Sequence, residues 1–300
     1  MLPTEFLGIK LKNPLVLASG ILGTSPEILI RMAESGAGAV TMKSIGPVER
    51  EGNINPNIVE FDCGLLNAMG LPGPGYKNMA GKMEELKNCP VPLFASIYGS
   101  TVQDFVDIVK FLREYRPAAI ELDISCPNKD DGLSFSADPE TTRQLVSEVR
   151  KHSGSIPVIP KLTPNTSSIP LLAEACRKGG ADALNAINTA SGMVINIEAR
   201  KPVLKYKKGG VSGPALKPIA VRCVYESYEA TGLPIIGTGG VTTGRDAIEM
   251  IMAGASLVGI GSALYYRGLD AFRLIAGEME EWMKNNNIDS LQDITGAAHG

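Results

Sequence analysis

Short apolar segments alternate with helical segments eight times along the chain, and this repetition limits the folds that the chain can adopt. The apolar segments are 14–20, 37–44, 92–99, 118–125, 157–163, 181–189, 233–240 and 255–262. The helical segments follow near 25–35, 75–87, 101–114, 139–152, 168–179, 217–231, 243–253 and 268–284. Apolar strands with helical crossovers indicate a parallel sheet that is covered on both faces. Eight such units predict an α/β fold of the (β/α)8 TIM-barrel type. An open doubly wound sheet is the alternative, but it usually carries GxGxxG after its first strand, and that motif is absent here.

Capping residues lie where the helices are expected to begin and end. Ser25 and Thr101 precede helical runs, and Asp138 precedes a proline in a first helical turn. Glycines follow several of the helical runs and are candidate C-caps, namely Gly36, Gly179, Gly232 and Gly254.

The overall composition narrows the function classes. The 300 residues are 44% hydrophobic and 20% charged, with a formal net charge of −3. We interpret the chain as one barrel domain spanning 1–300. The acidic balance argues against a basic surface for nucleic acid or a membrane. No apolar run reaches the roughly 18 residues that span a bilayer, and the first residues lack a signal-peptide pattern, so a cytoplasmic protein is expected.

The cysteines and histidines exclude several chemistries. The cysteines are odd in number and never form CxxC, which argues against disulfides, zinc or iron–sulfur ligation, so no metal site is expected. They are Cys63, Cys89, Cys126, Cys176 and Cys223. The two histidines lie in a helix end and beside the last residue, which argues against a histidine-based mechanism.

Chemically capable residues collect where the predicted strands end. Barrel enzymes place their active sites at the C-terminal ends of the strands. The strand-end residues here are Ser19, Gly20, Lys43, Ser44, Ser96, Asp123, Cys126, Lys161, Asn188, Thr189, Gly239, Gly240, Gly261 and Ser262. Three connections that follow strands, 45–74, 126–137 and 190–216, are longer than such units need and are expected to form lids or interfaces at the same mouth.

Two glycine-rich turns follow the seventh and eighth strands, GTGG at 237–240 and GIGS at 259–262. Turns at these positions commonly bind phosphate, because glycine lets backbone N–H groups approach the anion. Gly213 is expected to add to this site.

Lysine and cysteine at the mouth each leave two interpretations open. Lys43 and Lys161 indicate an anionic partner, or else a lysine that forms a Schiff base. Cys126 is followed by Pro127 and a polar loop, which favours a nucleophile or a proton-transfer base, and its ordinary pKa of about 8.5 is close enough to neutrality to be tuned. We interpret the other four cysteines as small apolar residues.

Taken together, several segments resemble the class 1 dihydroorotate dehydrogenases, which are FMN barrel enzymes of pyrimidine (UMP) synthesis. The resemblance covers nearly the whole chain. It rests on MKS (42–44), LLNAMGLPGPG (65–75), SCPN (125–128), KLTPN (161–165), INT (187–189), GGVSGPALKP (209–218), GTGGV (237–241) and GIGSA (259–263).

The resemblance implies a role for each matching residue. Cys126 would take a proton from C5 of dihydroorotate while the C6 hydride goes to N5 of FMN. Lys43 would contact both flavin and substrate. Further cofactor residues would be Ser19, Gly20, Ser44, Ser96, Lys161, Gly213, Gly239, Gly240, Gly261 and Ser262. Further substrate residues would be Asn67, Met69, Gly70, Leu71, Asn128, Asn188 and Thr189.

One residue departs from the family pattern. Asp123 stands where the family has asparagine, three residues before the cysteine. An ionised aspartate only accepts hydrogen bonds and would repel an orotate carboxylate. It is therefore protonated, or paired with a lysine, or the substrate differs.

The segments INT, ARKPVL (199–204) and VSGPALKP (211–218) resemble the NAD-linked subgroup. That likeness implies a homodimer and a second subunit that carries FAD and an iron–sulfur cluster and passes electrons to NAD. The remaining alternatives are a tRNA-dihydrouridine synthase or another FMN-barrel pyrimidine reductase, a Schiff-base aldolase, and a non-enzymatic binding barrel.

Overall fold

The computed structural model describes residues 2–125 and 135–300. Eight parallel strands close into a barrel in chain order, and the last strand pairs with the first. They are β1 Leu15–Leu17, β2 Ala39–Thr41, β3 Leu93–Ile97, β4 Ala119–Asp123, β5 Val158–Leu162, β6 Leu184–Ala186, β7 Ile235–Thr238 and β8 Leu257–Ile260. Each lies inside one of the predicted apolar segments, so the predicted (β/α)8 barrel is confirmed.

A helix follows every barrel strand. The helices are α1 Pro26–Glu34, α2 Ala80–Leu86, α3 Val102–Leu112, α4 Pro139–Ser153, α5 Ile169–Lys178, α6 Lys217–Thr231, α7 Gly244–Met252 and α8 Ala271–Asn285. A short helix, Ala263–Arg267, precedes α8, and 3-10 turns occupy Tyr76–Met79, Pro214–Leu216, Gly268–Asp270, Leu291–Asp293 and Ala297–His299. The predicted N-caps Ser25, Thr101 and Asp138 each accept a backbone N–H of the following turn. Within the described ranges, no helix is both long and apolar enough to cross a bilayer.

The long connections 45–74 and 190–216 contain strands of their own. Strands Ile58–Phe61, Gly64–Asn67, Ala190–Gly192 and Gly209–Ser212 form a four-stranded antiparallel sheet beside the barrel mouth. This mouth sheet joins the loops after β2 and β6 through the pairing of Gly210 with Asn67. A two-stranded hairpin, Ile195–Asn196 with Lys201–Pro202, extends from the second of these loops.

The barrel interior changes from apolar to polar along the strand direction. Alternate residues of each strand point inward, so interior layers repeat every second residue. The lower layer consists of Val16, Ala39, Phe94, Ala119, Ile159, Ala183, Ile236 and Leu257. The layer above it is buried and polar, with Ser96, Glu121, Lys161, Asn185 and Thr238. The strands thus hold a polar layer on an apolar base.

An N-terminal hairpin closes the lower end of the barrel. Its strands, Thr4–Phe6 and Ile9–Leu11, pair antiparallel. Phe6 and Leu11 are buried in the same cluster as the lower interior layer, and the ring of Phe6 lies 6.4 Å from that of Phe94 between centroids. The hairpin therefore excludes water from the base on which the polar layer rests.

This arrangement predicts that Leu11→Ala lowers the free energy of unfolding by about 2–5 kcal/mol, because it leaves a cavity between the N-terminal hairpin and the lower interior layer. The matched control is Leu171→Ala on α5, where the leucine is 60% exposed, and its expected effect is within about 0.5 kcal/mol. Urea unfolding of both variants measures the difference. Equal losses in the two variants would show that the hairpin does not seal the barrel.

Candidate active site

A cavity of about 780 Å³ opens at the C-terminal ends of the barrel strands. Its volume lies within the roughly 300–1,000 Å³ of typical small-molecule sites. Every predicted cofactor or substrate residue in the described chain lines this cavity, apart from Ser96. These residues are Ser19, Gly20, Lys43, Ser44, Asn67, Met69, Gly70, Leu71, Lys161, Asn188, Thr189, Gly213, Gly239, Gly240, Gly261 and Ser262. The predicted residues Cys126 and Asn128 lie outside the described residues, and Ser125 is the last described residue before them.

A buried carboxylate, Glu121, lies beneath the cavity and binds side chains from the surrounding strands. Its Oε1 accepts hydrogen bonds from Ser19 Oγ at 2.7 Å and Ser96 Oγ at 2.8 Å. Its Oε2 accepts one from Asn185 Nδ2 at 2.5 Å. Lys161 Nζ lies 3.7 Å from Oε1. Glu121 is only 3% exposed, so Lys161 and the three hydrogen bonds compensate the cost of burying its charge.

Three further hydrogen bonds extend this cluster. Lys161 Nζ donates to Ser19 Oγ at 3.0 Å, Ser44 Oγ lies 2.9 Å from Ser96 Oγ, and Thr238 Oγ1 donates to Asn185 Oδ1 at 2.7 Å. We call the whole set the Glu121 network; its members are Ser19, Ser44, Ser96, Glu121, Lys161, Asn185 and Thr238. Ser96 is fully buried and bonds to Ser44 and Glu121, so it supports the cavity wall from behind.

Glu121, Asn185 and Thr238 are site residues that were not predicted from the sequence. The predicted residues lie at the ends of the strands, whereas Glu121 and Asn185 lie inside strands. A signal was present, because Glu121 and Asp123 share one parity in an otherwise apolar strand, and that parity faces the barrel interior.

The two mouth lysines differ in their surroundings. Burial lowers the pKa of Lys43, and the charge of Lys161 lowers it further, while Asp123 opposes both effects. Lys43 therefore faces a like charge and an opposite charge across the cavity. A lowered pKa favours a lysine that forms a Schiff base. An anion bound beside Lys43 would instead favour the charged form of the lysine.

Asp123 is held as a hydrogen-bond acceptor. Its Oδ1 accepts from the backbone N–H and the hydroxyl of Ser125 and from Asn188 Nδ2 at 3.3 Å. Asn188 Nδ2 also donates to Ser125 Oγ at 3.0 Å, and its Oδ1 accepts the N–H of Thr189 at 2.8 Å. The charge of Asp123 raises the pKa of Lys43. This effect fits the second of the three interpretations of Asp123, namely pairing with a lysine.

The mouth sheet and its neighbouring loop supply the predicted substrate side of the cavity. Asn67 ends the strand Gly64–Asn67, and its Nδ2 donates to the carbonyl of Gly210 at 3.3 Å. The next loop turns through Gly70 and Leu71, whose φ angles are +77° and +54°. The hydroxyl of Tyr98 donates to the carbonyl of Leu71 at 3.3 Å and ties this turn to the barrel.

Glycines on the opposite wall let backbone approach backbone. Gly240 has a φ of +73°, and a Cβ there would lie 2.6 Å from the amide nitrogen of Lys217, the first residue of α6. The first turn of α6 has no side-chain cap, in contrast to α1, α3, α4, α5 and α7. A Cβ on Gly20 would meet nothing within 4 Å, and one on Gly261 would meet only Ala18 at 3.8 Å. This wall therefore offers N–H groups and open space, which suits an anion such as phosphate.

Three cysteines in the described chain, Cys89, Cys176 and Cys223, are poor candidates for the chemistry. Burial raises the pKa values of the Cys89 and Cys176 thiols. It raises the pKa of Cys223 to about 11. A raised pKa keeps a thiol protonated and unreactive. In residues 2–125 and 135–300, no group of three or more histidine, cysteine or acidic side chains could hold a metal ion.

Comparisons with known proteins agree with this architecture. The family model described as dihydroorotate dehydrogenase matches residues 1–283. The chain is 45% identical to the catalytic subunit of dihydroorotate dehydrogenase B (NAD(+)) from Methanosarcina mazei, covering 97% of this chain and 93% of that protein. It is also 45% identical to the proteins of the same name from Methanocaldococcus jannaschii, over 100% and 98% of the two chains, and from Thermoplasma acidophilum, over 99% and 98%. The chain belongs to the dihydroorotate dehydrogenase family.

Proposed function

We propose that this chain is an FMN-dependent oxidoreductase that converts (S)-dihydroorotate to orotate in UMP synthesis. The observation that carries the proposal is one cavity with ammonium groups and carboxylates at its base, a glycine-walled anion site on one side and asparagines on the other. Membership of the family supplies the reaction class. The cavity supplies groups suited to a flavin phosphate, a flavin ring and a small carboxylate substrate.

The residues that line the cavity fit FMN. Gly213, Gly239, Gly240, Gly261 and Ser262 would hold the phosphate against the uncapped start of α6. Ser19, Gly20, Ser44 and Lys161 would face the ring, with Ser96 behind Ser44. When bound, FMN would supply a two-electron acceptor. A single phosphate site favours FMN over FAD, because FAD carries a second phosphate and an adenosine.

Lys161 and Lys43 would contribute charge at different places. Lys161 is 5% exposed and held by Ser19, so its ammonium cannot move away when negative charge appears nearby. A fixed, poorly solvated cation stabilises such charge more strongly than a mobile surface lysine would. Lys43, nearer the opening, would bind the substrate carboxylate and offset Asp123.

Cys126 would act as the base that takes the proton from C5 of dihydroorotate. It directly follows Ser125, whose hydroxyl and N–H are fixed by Asp123. Asp123 is the last residue of β4 and fixes Ser125, and an oriented base favours efficient proton transfer. Substrate would be held by Asn67, Asn128, Asn188, Thr189 and the turn 69–71, where amide groups can pair with the donors and acceptors of a pyrimidine ring.

The assembly is also part of the proposal. The relatives are named as NAD(+)-linked catalytic subunits, a name that implies a partner subunit. We infer for this chain a homodimer and a partner with FAD and an iron–sulfur cluster that passes electrons to NAD, in the cytoplasm. Exposed apolar side chains on the connections that surround the mouth, including Ile54, Ile58, Met193 and Ile195, offer contact area for such partners.

The phosphate site can be tested with two matched glycines. Gly240→Ala should weaken FMN binding at least about tenfold, because its Cβ would meet the amide nitrogen of Lys217 at 2.6 Å and the Gly213 carbonyl oxygen at 2.8 Å. Gly232→Ala introduces alanine at a similar positive φ of +63°, but nothing lies within 4 Å, so FMN binding should match the parent. Fluorescence titration with FMN, FAD and riboflavin measures both. Equal FMN affinities in the two variants, or tighter binding of FAD, would contradict the assignment.

The reaction itself is tested by stopped-flow reduction of the bound flavin with dihydroorotate. The parent should bleach, with a rate that rises with pH through the apparent pKa of the Cys126 thiol, because the thiolate is the active base. Cys126→Ala should slow reduction by roughly 10²–10⁴-fold with FMN still bound, and Cys126→Ser should lie between them.

The control is Cys63→Ala, which removes an exposed thiol elsewhere on the chain and should leave the rate unchanged. A parent protein that binds FMN but is not reduced by dihydroorotate would refute the substrate. A colourless parent that cannot bind FMN would refute the flavin and favour a Schiff base on Lys43.

A further inference from the structure

The number of protons in the Glu121 network fixes the direction of its hydrogen bonds. A serine hydroxyl has one proton to donate. The protons of Ser19 and Ser96 both go to Glu121 Oε1. Ser19 can therefore only accept from Lys161, and Ser96 can only accept from Ser44. In the contact between Ser44 and Ser96, either hydroxyl could be the donor on geometry alone. The hydrogen bond from Ser96 to the carboxylate makes Ser44 the donor.

The charge of Glu121 also orients the hydrogen bonds of Asn185 and Thr238. A carboxylate has no proton to offer, so the atom of Asn185 that faces Glu121 Oε2 must be its NH2 group. The carbonyl oxygen of Asn185 then faces Thr238, whose hydroxyl must donate to it. The amide orientation and the threonine proton both follow from the charge of Glu121.

We infer that Glu121 is a positioning residue for the flavin site, which directs the hydroxyl protons of the Glu121 network away from the cavity and balances the charge of Lys161. Ser19, Ser44 and Thr238 all line the cavity. With their protons directed elsewhere, they present oxygen acceptors there, and Lys161 presents a cation. At the pyrimidine edge of a flavin, one N–H lies between two carbonyl groups. One of these oxygen acceptors can take the N–H, and the Lys161 ammonium can donate to one of the carbonyl oxygens. This last step rests on the proposed function.

The charge balance has a consequence that does not involve a flavin. Glu121 and Lys161 are 3% and 7% exposed at their side chains. Removing one member of a buried pair leaves an uncompensated charge, whereas removing both costs much less. The two substitutions should therefore be strongly non-additive in the flavin-free protein.

The first experiment is a double-mutant cycle in the flavin-free chain with Glu121→Gln, Lys161→Met and both together, followed by urea unfolding. Each single substitution should lower the unfolding midpoint, and adding Glu121→Gln to Lys161→Met should restore more than half of the loss. The matched control is the exposed pair Glu148 and Lys151, which is closer at 2.8 Å, with Glu148→Gln and Lys151→Met. Its effects should be small and additive. Additive losses at Glu121 and Lys161 would overturn the inferred pairing.

The second experiment measures the midpoint potential of bound flavin at about pH 6, where lysine side chains are charged. Glu121→Gln should raise the potential and Lys161→Met should lower it, because a more positive site favours the reduced flavin. A change of about tenfold in the affinity for reduced flavin relative to oxidised flavin would shift the potential by about 30 mV for a two-electron couple. The double variant should have a potential between those of the two single variants, because it lacks both charges.

A purely structural Glu121 would leave the potential unchanged in Glu121→Gln, which would overturn the positioning role. If neither the parent nor any variant binds flavin, the proposed function is refuted instead. The double-mutant unfolding cycle would still test the pairing of Glu121 with Lys161. The two failures are thus separable.

Discussion

The burial of one carboxylate, Glu121, is the constraint on which the mouth of the barrel depends. A charge at this depth persists only with a cation and several donors around it. Those partners come from other strands: Ser19 after β1, Ser96 on β3, Lys161 on β5 and Asn185 on β6. The hydrogen bonds and the ion pair of Glu121 therefore align the ends of strands that are distant in sequence. This alignment sets the charge pattern of the cavity above.

The apolar base of the barrel makes this polar layer possible. Phe94, Ile159 and Leu257 fill the lower interior, and Phe6 and Leu11 of the N-terminal hairpin cover it. With water excluded from below, the polar layer can be solvated only by itself and by whatever occupies the cavity. Gly259 on β8 contributes through its size, because a Cβ there would lie 2.1 Å from Thr238 Oγ1. The hydrogen bonds of the network are accordingly strong and directional.

The sequence was sufficient to predict the strands, the helices and most of the cavity lining, because the eightfold alternation fixes the barrel and the barrel brings strand ends together. It was insufficient for Glu121, because both faces of a barrel strand are buried. The shared parity of Glu121 and Asp123 marks one face as polar, but only the closed barrel shows that this face meets the interior. The mouth sheet was also missed. Its strands are short and pair with strands that are far away in the sequence, with Asn67 bonded to Gly210. No local sequence pattern therefore predicts this sheet. The roles of Cys126 and Asn128 remain predictions, since they lie outside the described residues.

Neutron diffraction from deuterium-exchanged crystals would show the direction of each hydrogen bond in the Glu121 network, because it locates the exchangeable protons. We expect no deuteron on the Glu121 carboxyl group, three on Lys161 Nζ, and the hydroxyl deuterons of Ser19 and Ser96 directed at Glu121 Oε1. The hydroxyl deuteron of Thr238 should point to Asn185 Oδ1. A deuteron on the Glu121 carboxyl group, or serine deuterons that point into the cavity, would show that the carboxylate does not set the direction of these hydrogen bonds.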